Sequence, residues 1–332
     1  MNAELKQALL RSSLCKYLGM NDLDMLIAYS KTIKYATGDE VLAQGAVSPG
    51  THIIIEGEAV VTAKVLGVGM INMTVLDKGC FIGEISQLLK TPSTVSVIAK
   101  TSLECFYISR SYFEMLGSMF PETMYKISKA VIEDVCLRQK NLHKKIMAFL
   151  SHSQMASKSI FGEVIHSLTR PKETTLAQVH MKPEKLMQMD LLMHMNQDQI
   201  NTLLQHSVVM DAPRNATIIR EGEKSPECYL ILRGAIQSSI RQLNKVAKLS
   251  VQAPGKLFCC MSFIDGTPSI FDFTTCEHTI LLKFSAQNLA ELKANDIVVW
   301  YMLYEEICKS FAALEQAASK LDIRLKSELY NR

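Results

Sequence analysis

The chain has 332 residues, 48% of them hydrophobic and 21% charged, with a formal net charge of +3. That length suits two or three globular domains, and the near-neutral charge makes no compositional case for a nucleic-acid or membrane-surface partner. The nine cysteines are odd in number, scattered and without a CxxC spacing, and no apolar run reaches the roughly 18 residues of a membrane span; the expectation is a cytoplasmic chain with reduced thiols, no disulfide framework and no structural metal site.

Residues 2–11 read as a short helix, and Asn21 as the cap of a second, DLDMLIAYS, with Leu23, Met25 or Leu26, and Ile27 available to a core. From Thr32 the period changes. Thr32–Tyr35, Val41–Ala43, His52–Ile55, Ala59–Val65, Ile71–Leu76, Val95–Ala99 and Leu103–Ile108 are short β-branched or apolar runs, punctuated by Gly38, Gly45, Gly50, Gly57, Gly67 and Gly79. Many short strands at this spacing argue for an antiparallel barrel or sandwich. Within them Lys78–Val97 carries Gly83 and then Glu84 at the start of one predicted helical turn, Ile85–Leu89. Free N–H groups at a helix start suit an anion, and a carboxylate beside them accepts from hydroxyls; the alternative is a tight turn with a surface Glu. Ser109 is placed to cap RSYFEML, and Pro121 to open a long helix to about His152.

Residues 153–185 read as a connector, with a helical piece over 160–168 and a Pro/Thr stretch after it. FGE at 161–163 shares three of the four letters of FIGE at 81–84 but lacks the strand and proline that follow there. Then the first pattern returns. Gly45 and Gly222 lie 177 residues apart, as do Gly57 and Gly234; Gly79 and Gly255 lie 176 apart, as do Pro92 and Pro268, and Ser109 and Ser285. A period of this size is a duplicated domain and not a solenoid. The division is 1–152 for the first domain with its long helix, 153–185 for the connector and 186–332 for the second domain. The final helix carries an apolar seam at Trp300, Tyr304, Ile307, Phe311, Leu314, Ala318, Leu321 and Leu325. Such a seam either packs back on its own domain or pairs with a second copy as a homodimer.

The glycine framework, FIGE at 81–84 and the run from Pro92 resemble the cyclic-nucleotide-binding domain shared by the regulatory subunit of cyclic-AMP-dependent protein kinase, the bacterial catabolite activator and cyclic-nucleotide-gated channels. Two such units in tandem most resemble the kinase regulatory subunit. The resemblance implies an α+β fold of two β-rolls, jelly-roll-like antiparallel barrels with flanking helices, and a non-catalytic regulatory role. In that family a Gly-Glu pair opens the phosphate-binding cassette, the glutamate holds the ribose hydroxyl, and an arginine after a proline pairs the cyclic phosphate. The resemblance places Gly83 and Glu84 on the Gly-Glu pair, Ile85 on the next apolar residue and Ser96 on a base-contacting hydroxyl. Ser93 stands where the family has arginine. Loss of that charge-assisted contact, about 1.5–3 kcal/mol, weakens binding on the order of tenfold to a hundredfold. Lys90, in the same loop, is the candidate replacement.

The second cassette departs further. Cys259-Cys260 replace Gly-Glu, Ser269 replaces arginine, Asp272 takes the hydroxyl position, and Lys256 is the one nearby cation in the cassette segment. Cys259-Cys260 are either a metal or redox pair or two buried thiols. His143-Lys144-Lys145 reads as a solvated helix face, and the stretch after Asn295 as one helix with no helix-turn-helix reading head. Two functions stay open. In one, a regulator binds cAMP or cGMP weakly in its first roll and signals to a partner protein. In the other, a scaffold has rolls that no longer bind nucleotide.

Overall fold

The computed structural model describes residue 6, residue 9 and residues 13–152, 161–162, 170–242 and 245–330. The chain forms two compact units, residues 1–142 with 315–332, and residues 143–314. Both long helices are therefore divided between units, where the sequence boundaries kept each with one domain. Of the helix expected over 2–11, residues 6 and 9 are described, both helical.

In the first unit a turn of 3-10 helix, Ser13–Lys16, precedes α1, Met20–Ala28. The cap of α1 is Gly19, whose N–H donates to the Asp22 carboxylate at 2.9 Å; Asn21, the expected cap, lies inside the helix. Leu23 and Leu26 are the buried face. Eight strands follow: β1 Lys31–Tyr35, β2 Glu40–Leu42, β3 Gly50–Glu56, β4 Ala59–Val65, β5 Gly69–Leu76, β6 Phe81–Ile82, β7 Ser96–Ala99 and β8 Leu103–Ser109. They make two antiparallel sheets, β1-β8-β3-β6 and β2-β7-β4-β5. The roll is thus two facing sheets and not a closed barrel. Leu42, Ile54, Leu76, Ile82, Val97, Leu103 and Cys105 fill its core. A six-residue helix, α2 Glu84–Leu89, sits between β6 and β7; α3 Arg110–Met119 and α4 Pro121–His152 follow β8. Ser109 caps α3, its hydroxyl accepting from the Tyr112 N–H.

Gly57 ends β3 at φ +88°, and a Cβ there would meet the Ser102 carbonyl at 2.2 Å; Gly234, at φ +87°, meets the His278 carbonyl at 2.7 Å in the second unit. Only glycine fits either place, which is why this pair keeps register across the duplication.

The second unit holds β9 Phe161–Gly162, β10 Lys172–Thr174, α5 Pro183–Leu186, a 3-10 turn at Leu192–His194, and α6 Gln197–Gln205, capped by Asn196. The described part of the helix expected over 160–168 is therefore strand: β9 adds to a sheet edge. Glu163 lies outside the described residues. The second roll comprises β11 Val208–Ala212, β12 Thr217–Ile219, β13 Cys228–Arg233, β14 Ile236–Gln242, β15 Lys245–Gln252, β16 Leu257–Cys259, β17 Asp272–Thr275 and β18 Thr279–Phe284. Its sheets run β10-β11-β18-β13-β16 and β12-β17-β14-β15-β9, the order of the first roll with one added edge strand each. A short α7, Ser262–Asp265, lies before β17, and α8 Ala286–Asn295 and α9 Ile297–Tyr330 close the chain. Tyr229, Phe258 and Phe273 stack through the core of this roll.

The whole seam of α9, from Trp300 to Leu325, is buried within the chain, each residue 5% exposed or less. Of the two readings of this seam, packing within the chain accounts for that burial.

Candidate functional site

The cassettes of the two rolls share one loop frame, bond for bond. In the first, the Ser86 hydroxyl of α2 donates to the Thr91 carbonyl at 2.6 Å and accepts from the Ser48 N–H at 2.9 Å. In the second, Ser262 of α7 does the same with Thr267 at 2.7 Å and Ser225 at 3.2 Å. Ser93 and Ala46 exchange backbone contacts with the Gly45 turn, and Ser269 and Glu223 repeat them at Gly222. The serines that replace arginine do one job in both: Ser93 donates to the Val95 carbonyl at 2.8 Å, and Ser269 to the Phe271 carbonyl at 2.7 Å. They staple their own turns. The Ser48/Ser225 and Ser86/Ser262 pairs keep the 177- and 176-residue offsets, so the duplication itself could have marked them.

Gly83 ends β6 at φ +88°, where a Cβ would meet the Ser48 Oγ at 2.5 Å and the Gly50 carbonyl at 2.9 Å. The close approach turns the chain so that Glu84 begins α2 as a buried carboxylate, 3% exposed. Its Oε1 accepts from the Arg138 Nη2 of α4. Asp134, one helical turn before Arg138, lies 3.6 Å from its Nε. Glu315 of α9, which belongs to this first unit, completes the group. Glu84 thus bonds the guanidinium directly, while Asp134 and Glu315 act on it through their charge. Burial penalises the Arg138 charge, yet Glu84, Asp134 and Glu315 outweigh that and hold it ionised. Burial raises Asp134, against the pull of Arg138. Burial pushes Glu315 up to about 7, with Arg138 opposing and Glu84 and Asp134 adding. Sequence reasoning missed Arg138, Asp134 and Glu315, because a lone charge on a long helix has the signature of a solvated face.

The other residues singled out in this cassette have structural partners. Ile85 is half-buried beside Glu84. Ser96 is buried, and its hydroxyl accepts from the Gln44 N–H at 2.9 Å. Lys90 is exposed, with its amino group 3.6 Å from Glu114, so the structure turns the proposed replacement cation toward α3. A different cation holds the cassette: Arg110 reaches the Ser48 carbonyl at 2.8 Å and the Gln87 side chain at 3.1 Å.

In the second roll Asp272 takes the place of Ser96 and keeps its bond, accepting from the Glu221 N–H at 2.8 Å. Its second oxygen accepts from the Arg241 Nε at 2.9 Å and Nη2 at 2.6 Å. Arg241 occupies the register position of Lys64, and the Arg241 N–H donates to Glu221 as the Lys64 N–H donates to Gln44. Arg241 thus compensates the Asp272 charge within the second roll. Lys256, the cation singled out in the cassette segment, makes an exposed pair with Asp190 at 2.5 Å. His143 is enclosed, not solvated: its Nε2 lies 3.0 Å from Glu221, and its ring stands edge-on to Phe271. Cys259 and Cys260 are buried thiols, and the Cys260 thiol donates to the Ser225 carbonyl. Among the described residues no group of three or more His, Cys, Asp or Glu is placed to hold a metal ion. No described helix is long and apolar enough to cross a membrane.

The model of the cyclic nucleotide-binding domain family matches residues 32–118 and 209–296, together more than half of the chain. A cGMP-dependent protein kinase of Plasmodium berghei (strain Anka) is 24% identical over 244 residues, 71% of this chain and 26% of that protein. A cAMP-dependent protein kinase regulatory subunit of Mucor circinelloides f. lusitanicus is 30% identical over 86 residues, 26% of this chain and 20% of that one. The chain therefore spans about a quarter or less of the length of these curated relatives. Among solved structures, the regulatory subunit of a cAMP-independent protein kinase A from Trypanosoma brucei is 15% identical, with 93% of both chains covered and a TM-score of 0.32. The regulatory domain of Toxoplasma gondii PKA with cAMP is 13% identical, with 92% of this chain and 95% of that one covered and a TM-score of 0.33. With two matched segments that each form a two-sheet roll around one cassette, the chain belongs to the cyclic nucleotide-binding domain family and carries two such domains in tandem.

Proposed function

We propose that the chain is a non-catalytic regulatory protein in which the first roll is the ligand-responsive unit and the second is closed by its own ion pair. The observation that carries this reading is Glu84, the hydroxyl-binding carboxylate of the family cassette, kept buried at the start of α2 and tied to Arg138 on α4. A ribose that hydrogen-bonds Glu84 changes how Glu84 holds Arg138, and so biases the helix that leaves the roll. Differential affinity for the two arrangements is what a ligand needs in order to signal to a partner protein. The ligand in this reading is cAMP or cGMP, held weakly: Ser93 supplies no charge and the carboxylates around Arg138 oppose a phosphate. In the second roll Arg241 and Asp272 fill the corresponding place, and cysteines stand in for Gly-Glu.

Calorimetric titration with cAMP and cGMP, beside a Glu84→Ala variant, tests the reading. Saturable binding lost in the variant supports it. The second reading, a scaffold whose rolls bind no nucleotide, is favoured by the serine staples in both cassettes, and absence of binding at about 1 mM ligand selects it.

A further inference from the structure

Residues 315–330 of α9 pack as part of the first unit. Two of their polar side chains reach the roll: Gln316, at the cassette, donates to the Thr91 hydroxyl at 3.2 Å, and Thr91 lies in the loop that follows α2. Farther along, Lys326 reaches the Met73 carbonyl of β5 at 3.4 Å and pairs with Asp322 at 3.3 Å. Ala318, Leu321 and Leu325 are buried beneath. Glu315 stands where this segment meets the buried charges. Its Oε2 is enclosed without a hydrogen-bond partner, and so are the Asp134 Oδ2 and the Arg138 Nε.

We propose that the end of α9, residues 315–328, is a built-in plug of the first cassette, seated by the neutral carboxyl of Glu315 and loosened when that carboxyl ionises. The groups that face Glu315 are Glu84 from α2 and Asp134 and Arg138 from α4. A neutral Glu315 has a proton to donate to a neighbouring carboxylate. An ionised Glu315 adds a negative charge beside the Glu84 and Asp134 carboxyl groups in a site that water does not screen, which is unfavourable. One proton leaves as the plug loosens. Burial and the neighbouring carboxylates place that ionisation at about 7. The inference concerns the regulation of the site proposed above and rests on that reading only for the identity of what the plug excludes.

The test is amide hydrogen exchange over 315–328 in the full chain, at about pH 6 and about pH 8 and corrected for intrinsic rates, for the natural chain and for Glu315→Gln. Glutamine keeps the shape and the donor and cannot ionise. Protection in the natural chain is expected to fall on the order of tenfold between the two conditions, and protection in Glu315→Gln to stay at its higher level in both. The same pH dependence in both proteins overturns the plug. If Glu315→Gln fails to fold, Gln316→Ala with Lys326→Ala serves instead. Raised exchange confined to 315–328 in that variant supports the plug, and unchanged exchange overturns it. Titration of the same proteins with cAMP judges the ligand separately: no saturable heat removes the nucleotide reading and leaves the plug to the exchange result.

Discussion

Glu84 and Arg138 are the pair on which the first cassette turns. Removing the guanidinium leaves a buried carboxylate among two others, so Arg138→Met is expected to lower stability by about 3 kcal/mol, read by urea denaturation. A loss below about 0.5 kcal/mol would mean the pair is solvated. His52, on β3 against Tyr35 and Tyr107, sets a second residue-level test. Burial, with the Lys31 charge, pulls it down from 6.5 to about 4. The unfolded chain then binds the extra proton between those values, so this group lowers stability as pH falls from about 6.5 to about 4. Glu315 acts in the opposite sense: raised from 4.5 to about 7, it lowers stability as pH rises through that window. Thermal midpoints of His52→Gln are expected to flatten the acid limb, and those of Glu315→Gln the neutral limb. At this scale the sequence made half of the site legible. Gly83-Glu84 and the missing arginines are local patterns. Arg138, Asp134 and Glu315 come from helices far along the chain, and each is one charge in an amphipathic run.

At the scale of elements, the duplication is what makes the structure readable. Glycines at positive φ, capping serines and the prolines hold fixed offsets because each serves a backbone geometry that only a few residues can adopt. Gly83→Ala forces a Cβ onto the Ser48 Oγ and the Gly50 carbonyl at φ +88°, and is expected to destabilise the fold by about 1–3 kcal/mol and shift α2. The thermal midpoint and the exchange of the α2 amides check it. The same offsets align Lys64 with Arg241 and Ser96 with Asp272, a compensated exchange that composition hides. Asp272→Ser alone is expected to lower stability by about 3 kcal/mol, because Arg241 loses the carboxylate oxygen that accepts from both its Nε and its Nη2. Asp272→Ser with Arg241→Lys restores the first roll's combination and should recover most of it. A double variant as unstable as the single one would show that the two residues act independently. Segments without such geometric anchors were read least well: Phe161–Gly162 pairs as an edge strand where a helical period suggested helix, and the cap of α1 fell two residues early, at Gly19.

For the whole molecule, the function proposed above assigns two family rolls with unequal cassettes one responsive site and not two. The tandem repeat and most of the strands followed from the sequence. The assignment of the end of α9 to the first unit did not, since an apolar seam records that a helix is buried and not against what. The measurement that bears most directly on the account is calorimetric titration of the full chain with cAMP and cGMP, beside Glu84→Ala. The account predicts weak saturable binding at a stoichiometry near one, lost in Glu84→Ala and unaltered by Asp272→Ser with Arg241→Lys. A stoichiometry near two, or binding that survives Glu84→Ala, would contradict it.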